Sequence, residues 1–231
     1  MTTDRLRGFG GEIYTLKVGP DEEQLLVPGN ILTLVPYFER ALSSGSFTES
    51  TTKTFELPDD DPKAVADVLY FVHTGRVEAL SPFNTLGITT AFQAYLRAFI
   101  VADKYKAEAV ANNLVDAIIR RQSGCVVNPA SICILGNAGL HGTPLYTDLM
   151  RELYRQSVKR PYRGHTFLGP DPGKTTLEEA THGWSKEDFR QFMVIVGEGP
   201  PKGTIFGGAG NMCDFHMHDL TERCTQEEQK S

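Results

Sequence analysis

Positive charge is in deficit: 23 lysines and arginines stand against 29 aspartates and glutamates, a formal net charge of −6. No global cationic field exists to hold a phosphate backbone, so generic nucleic-acid binding is not expected. Long apolar runs are missing too. A membrane helix needs roughly 18 consecutive apolar residues, and the most apolar stretch, Tyr95 to Ala102, is interrupted by Arg97. The first residues carry Arg5 and Arg7 but no apolar segment of the kind a secretory leader uses, so cytoplasm or nucleus is the expected location, with no membrane partner. Cysteines number four, Cys125, Cys133, Cys213 and Cys224. In a reducing compartment they are expected to be thiols or metal ligands rather than disulfides. The chain has no internal repeat, which argues against a solenoid or a propeller.

What is present is an ordinary globular composition, 40% hydrophobic and 23% charged over 231 residues. That length suits one domain with a sizeable appendage, or two small domains. Many of the 22 glycines and 13 prolines fall after about residue 124, so the second half is expected to be looser than the first.

Ile13 to Val18 alternates, with Tyr14, Leu16 and Val18 on one face. Gly19-Pro20-Asp21 then turns the chain into a second apolar run, Leu25 to Val27, and the pair reads as a hairpin. Asn30 is expected to cap a helical pattern of Ile31, Leu34, Val35, Phe38 and Leu42, with the regular helix beginning at Pro36. Thr52 to Leu57 is a third strand, Phe55 and Leu57 facing inward. Asp59-Asp60-Asp61 followed by Pro62 marks a helix start, since a carboxylate caps the free N–H groups and proline is tolerated at the first position. Val65, Val68, Leu69 and Val72 form its buried stripe and Gly75 its end. Two further helices are marked by Phe92, Tyr95, Leu96 and Phe99, and by Val110, Leu114, Ala117 and Ile118. Strands early and helices late make an α+β pattern. Later, Thr143-Pro144 opens a helix carrying Tyr146, Leu149, Met150 and Leu153. Ser185-x-x-Asp188 resembles a capping box before a stripe of Phe189, Phe192, Met193 and Val196.

Five fragments then occur in a particular order: Pro36-Tyr37-Phe38, Gly45-Ser46-Phe47-Thr48-Glu49-Ser50, Leu57-Pro58-Asp59-Asp60-Asp61-Pro62, Val72-His73-Thr74-Gly75 and Ala102-Asp103-Lys104-Tyr105. Together they resemble the BTB/POZ domain, particularly its fungal type, over about Ile13 to Arg121. Gly29-Asn30 departs from the His-basic pair usual in the family, and His73 from a usual aromatic. The resemblance implies a BTB/POZ domain over 11–121, a small sheet capped by helices. A mainly helical region over 122–231 would follow, with loose loops and a Cys/His tail. It further implies a non-enzymatic adaptor or scaffold whose partner is another polypeptide, either a cullin scaffold to which it recruits a ubiquitin-ligase substrate or a second BTB domain. In cullin-binding members a hydrophobe-x-Glu motif follows the first long helix, and Phe47-Thr48-Glu49 matches it by position. Phe47 and Glu49 are therefore the candidate partner-binding residues. The alternative is that Phe47 closes the domain core and Glu49 is solvated.

The tail carries Cys213-x-x-His216-x-His218-x5-Cys224, the ligand types and number of a structural zinc site at a spacing that is not a standard finger. A homo-oligomerising regulatory protein with a zinc-stabilised tail is the alternative function; packed helix-end residues without a cofactor are the alternative for the tail itself. Gly169-Pro170-Asp171-Pro172-Gly173-Lys174-Thr175-Thr176 is no phosphate loop, because it is one residue short between the glycines and its prolines remove N–H donors. Gly207-Gly208-Ala209-Gly210 has no βαβ unit around it. No Gly-x-Ser-x-Gly elbow or Cys-His pairing is recognisable, and His73 reads as a packed ring. Arg151, Arg155, Lys159, Arg160 and Arg163 are interspersed with acids and read as a solvated face.

Overall fold

The computed structural model describes residues 11–44, 48–76, 88–122, 127, 129–159 and 183–199, with the backbone alone at 88–91, 120–122 and 156–159. Among these residues the chain is α+β, with one three-stranded sheet and helices elsewhere. It divides into two compact units. One comprises Met1–Thr85 with Arg97–Leu114, here the sheet unit; the other, Leu86–Leu96 with Val115–Ser231, is the helical unit.

In the sheet unit, β1 (Ile13–Val18) and β2 (Glu23–Pro28) form the expected hairpin, with Tyr14 opposite Val27 and Leu16 opposite Leu25. β3 (Thr54–Leu57) lies on the other side of β1 and runs parallel to it, Leu16 beside Phe55 and Val18 beside Leu57. Alternation puts Tyr14, Leu16, Val18, Val27, Phe55 and Leu57 in the core, while Ile13 and Leu26 stay exposed on the opposite face. A parallel pair cannot be joined by a tight turn. The connection between β2 and β3 carries α1 (Gly29–Leu32), α2 (Pro36–Ser43) and α3 (Thr48–Thr52).

Pro36 does start α2, and Phe38 is fully buried with its ring edge-on to Phe55 at 5.1 Å. Asn30, expected as a cap, lies inside α1 instead. The chain enters α1 directly from β2, and Gly29 N–H is already taken by Glu12 O at 2.8 Å. Leu34, expected on the buried stripe, is 59% exposed because the break between α1 and α2 resets the helical phase.

α4 (Pro62–Thr74) begins at Asp61, whose side chain accepts from the N–H groups of Lys63 and Ala64, and ends at Gly75 in the left-handed region, φ 66°. A Cβ-bearing residue would be strained there, so glycine makes the stop abrupt. α5 (Ile88–Lys104) and α6 (Glu108–Gln122) follow. The unit boundary passes through both, between Leu96 and Arg97 and between Leu114 and Val115.

The helical unit contains α7 (Pro129–Asn137), α8 (Pro144–Lys159) and α9 (Lys186–Glu198), with α8 packed on both of the others. Thr143 caps α8, accepting from Tyr146 N–H, and Tyr146, Leu149, Met150 and Leu153 are buried as expected. α9 differs from expectation. Its capping box is present, but its buried residues are Asp188 and Ile195, while Phe189 and Met193 face solvent. The basic residues of α8 are not all solvated either: Arg155 is mostly buried and pairs with the buried Glu152 one turn before it. Among the described residues no helix is long and apolar enough to cross a membrane.

Candidate partner-binding surface

The residue expected to anchor a partner, Phe47, lies outside the described residues, as do Cys213, His216, His218, Cys224 and the glycine-rich segments 169–176 and 207–210. Glu49 is described. It stands half-buried in the first turn of α3, a five-residue helix, TESTT, none of whose side chains is buried. A carboxylate there complements the helix N-terminus. α3 is fixed by what flanks it, lying against α2 and β3. Thr52 closes its last turn by donating to Thr48 O at 3.1 Å. Such a segment shows polar groups outward and contributes little to the core, which is the physical profile of a displayed surface element.

Beneath α4 and α5, the acidic triplet does more than cap. Asp61 holds the α4 terminus and pairs with Arg97 at 3.3 Å. Asp60, 7% exposed, accepts from Lys104 Nζ at 2.8 Å on both oxygens and from Tyr105 Oη at 2.7 Å. A buried carboxylate requires such donors. The Tyr105 ring in turn stacks on Tyr37 of α2 at 5.0 Å, and Tyr37 N–H donates to Tyr105 O. Three of the sequence fragments singled out above, those around Tyr37, Asp60 and Lys104-Tyr105, therefore meet at one node that holds α2, the start of α4 and the end of α5 together. Burial and the adjacent Asp60 carboxylate push the Tyr105 phenol far up.

A second polar cluster, in the helical unit, escaped sequence reasoning. Asp188, fully buried, accepts from Tyr146 Oη at 2.5 Å, from Ser185 N–H at 2.7 Å and from Ser185 Oγ at 2.8 Å. His141 Nε2 lies 3.2 Å from Asp188 Oδ1 without hydrogen-bond alignment. The nearby Cys133 thiol is pushed up by burial and by the Asp188 charge. Cysteine, histidine and aspartate thus come together, but the thiol is moved away from the thiolate a nucleophile requires. Asp188 already receives donors on both oxygens, and its task is to join the α9 terminus to α8. The capping-box pattern was the sequence signal for Asp188; nothing in the sequence pointed to Tyr146 as its partner 42 residues away.

Among the described residues no group of three or more His, Cys, Asp or Glu side chains is placed to hold a metal ion. No family model matches the chain, and no curated protein matches it.

Proposed function

We propose that the chain is a non-enzymatic adaptor or scaffold whose sheet unit is a BTB/POZ-type docking module, and that Phe47 and Glu49 form its contact for another polypeptide. The supporting observation is the arrangement around Asp60. Fragments that carry the resemblance in the sequence converge on one buried carboxylate that ties α2, α4 and α5 to each other. The order hairpin, helices, parallel third strand and capped helix agrees with such a module. α3, with Glu49 at its start and no buried side chain, suits display to a partner. The partner favoured is a cullin scaffold, with a second BTB domain as the other polypeptide this surface would accept. A buried aromatic anchor of the Phe47 kind contributes on the order of 2 kcal/mol or more to an interface.

The test is affinity purification with mass spectrometry, comparing the parent protein with Phe47→Ala and Glu49→Lys. A cullin recovered with the parent and lost with both variants supports the adaptor reading. An unchanged set of co-purifying proteins overturns the role of these two residues. Turnover of a small molecule by pure protein would overturn the non-enzymatic reading altogether.

The Cys213, His216, His218 and Cys224 set favours a second, compatible reading, in which a structural zinc ion stabilises the tail of a self-associating regulatory protein. Four protein ligands leave no open position for a reacting water, so such a site would be structural.

A further inference from the structure

α9 carries apolar residues on two sides. One side is used: Ile195 is buried, and Phe192 lies edge-on to Trp184 at 5.4 Å and to Tyr154 at 6.0 Å. On the other side Met193 and Val194 are 63% and 50% exposed, and Phe189 at its border, edge-on to Trp184 at 5.2 Å, is still 43% exposed. A helix that is apolar beyond one stripe has a second surface to cover. The exposed side is also ordered by charge. Lys186 and Arg190 stand at its N-terminal end and Gly197 near its C-terminal end, with Glu198 on the flank toward Arg151 of α8. The space in front of Gly197 is open, with nothing within 4 Å of where a Cβ would stand.

We propose that this face binds a second copy of the chain through an antiparallel, two-fold pairing of α9 with α9 centred on Met193. The pattern is self-complementary in that arrangement. Residues equally far before and after Met193 face each other, so Phe189 of each copy lies over Gly197 of the other, a large ring over a residue with no side chain. The same symmetry sets Glu198 of the second copy between Lys186 and Arg190, at the height of the first turns. Arg190 now bonds Glu187, and Glu198 lies 3.4 Å from Arg151. Both pairs are exposed, and such pairs exchange at little cost. An isologous contact of this kind closes as a dimer and does not propagate. The inference stands apart from the adaptor reading, since it uses the helical unit alone.

Sedimentation of the full chain at rising concentration, up to about 200 µM as suits a small transient interface, tests it. The parent is expected to approach twice its 25.5 kDa mass. Met193→Glu, at a largely exposed position, is expected to raise the dissociation constant at least about tenfold while leaving the thermal unfolding midpoint in place. Met193→Cys is expected to give an oxidised dimer faster than Lys186→Cys or the parent with its own cysteines, because only position 193 meets itself at the axis. A parent that stays monomeric overturns the proposal. So does a dimer indifferent to Met193→Glu, or equal cross-linking of the two cysteine variants.

Discussion

Asp67 offers a sharp test of packing in the sheet unit. It is half-buried on α4, and burial pushes its carboxyl up from 3.8 to about 7; Lys63, one turn earlier, offsets part of the rise and Asp61 adds to it. Each pKa unit corresponds to about 1.4 kcal/mol between the two protonation states, so roughly three units set a ceiling near 4 kcal/mol. Partial contact with water reduces this to about 2 kcal/mol. The direction follows from proton binding. The unfolded chain releases this proton near 3.8 and the folded one only near 7, so folding takes up a proton in between. Stability is therefore least affected below the lower value, falls as pH rises, and levels off above the higher one. Asp67→Asn keeps the shape and removes the charge. Urea unfolding followed by circular dichroism should show the variant more stable than the parent by about 0.5 kcal/mol at about pH 4.5, growing to about 2 kcal/mol at about pH 8.5. A gain that does not grow with pH, or a loss at the upper end, would mean that the carboxylate is solvated or paired and not held in a dry site.

Four further outcomes follow from the polar clusters and the tail. Lys104→Met removes the cation beside Asp60 and should destabilise by about 1–3 kcal/mol, less than for a fully buried pair because Lys104 is half exposed, as read by denaturant midpoint. Tyr146→Phe removes one donor to the Asp188 carboxylate and should cost about 1.5–3 kcal/mol. Gly136→Ala should destabilise by about 1–3 kcal/mol although alanine is the better helix former, because its Cβ would stand 2.5 Å from Asp188 Oδ1; stabilisation in a thermal melt would contradict the close approach. Elemental analysis should find one zinc per chain, and a chelator should lower the melting midpoint if Cys213, His216, His218 and Cys224 hold it; substoichiometric metal with no change in stability removes the zinc reading.

The elements legible in the sequence are those bounded by local chemistry. Pro36, Asp61-Pro62, Gly75, Thr143-Pro144 and Ser185 each act through groups within four residues, so their helix ends could be located without the fold. Period-two alternation likewise placed Tyr14, Leu16 and Val18 in the core. α3 and α7 were not legible, for opposite reasons. α3 is polar all round and α7, PASICILGN, is apolar nearly all round, so neither shows the one-sided stripe that marks a helix. The exposed side of α9 was hidden because Phe189, Phe192, Met193 and Val196 share a helical spacing, while the residues buried are Asp188, held by Tyr146 and Ser185, and Ile195, which leaves Met193 facing out. Glu49 could be located through the motif around it, but its setting on a helix with no buried side chain could not.

The two units share one device. In each, a carboxylate at a helix start is buried under a tyrosine hydroxyl supplied from more than 40 residues away, Tyr105 to Asp60 and Tyr146 to Asp188. A capping carboxylate on a solvated helix end would contribute about 1 kcal/mol and leave the neighbouring helices free to shift. Burial changes its role, because an unpaired carboxylate in the core costs more than a single cap returns, so the tyrosine must be in place whenever the helix is. Helix start and helix packing then become one event, and the acidic residues that sequence reasoning explained as local caps are also the points at which the tertiary structure is fixed. This is why Asp60-Asp61 reads as a simple cap in the sequence yet gathers α2, α4 and α5. It is also why α3, which owns no core residue, has a fixed neighbour: α2, against which it lies, is held to the node at Asp60 by the stacking of Tyr37 on Tyr105.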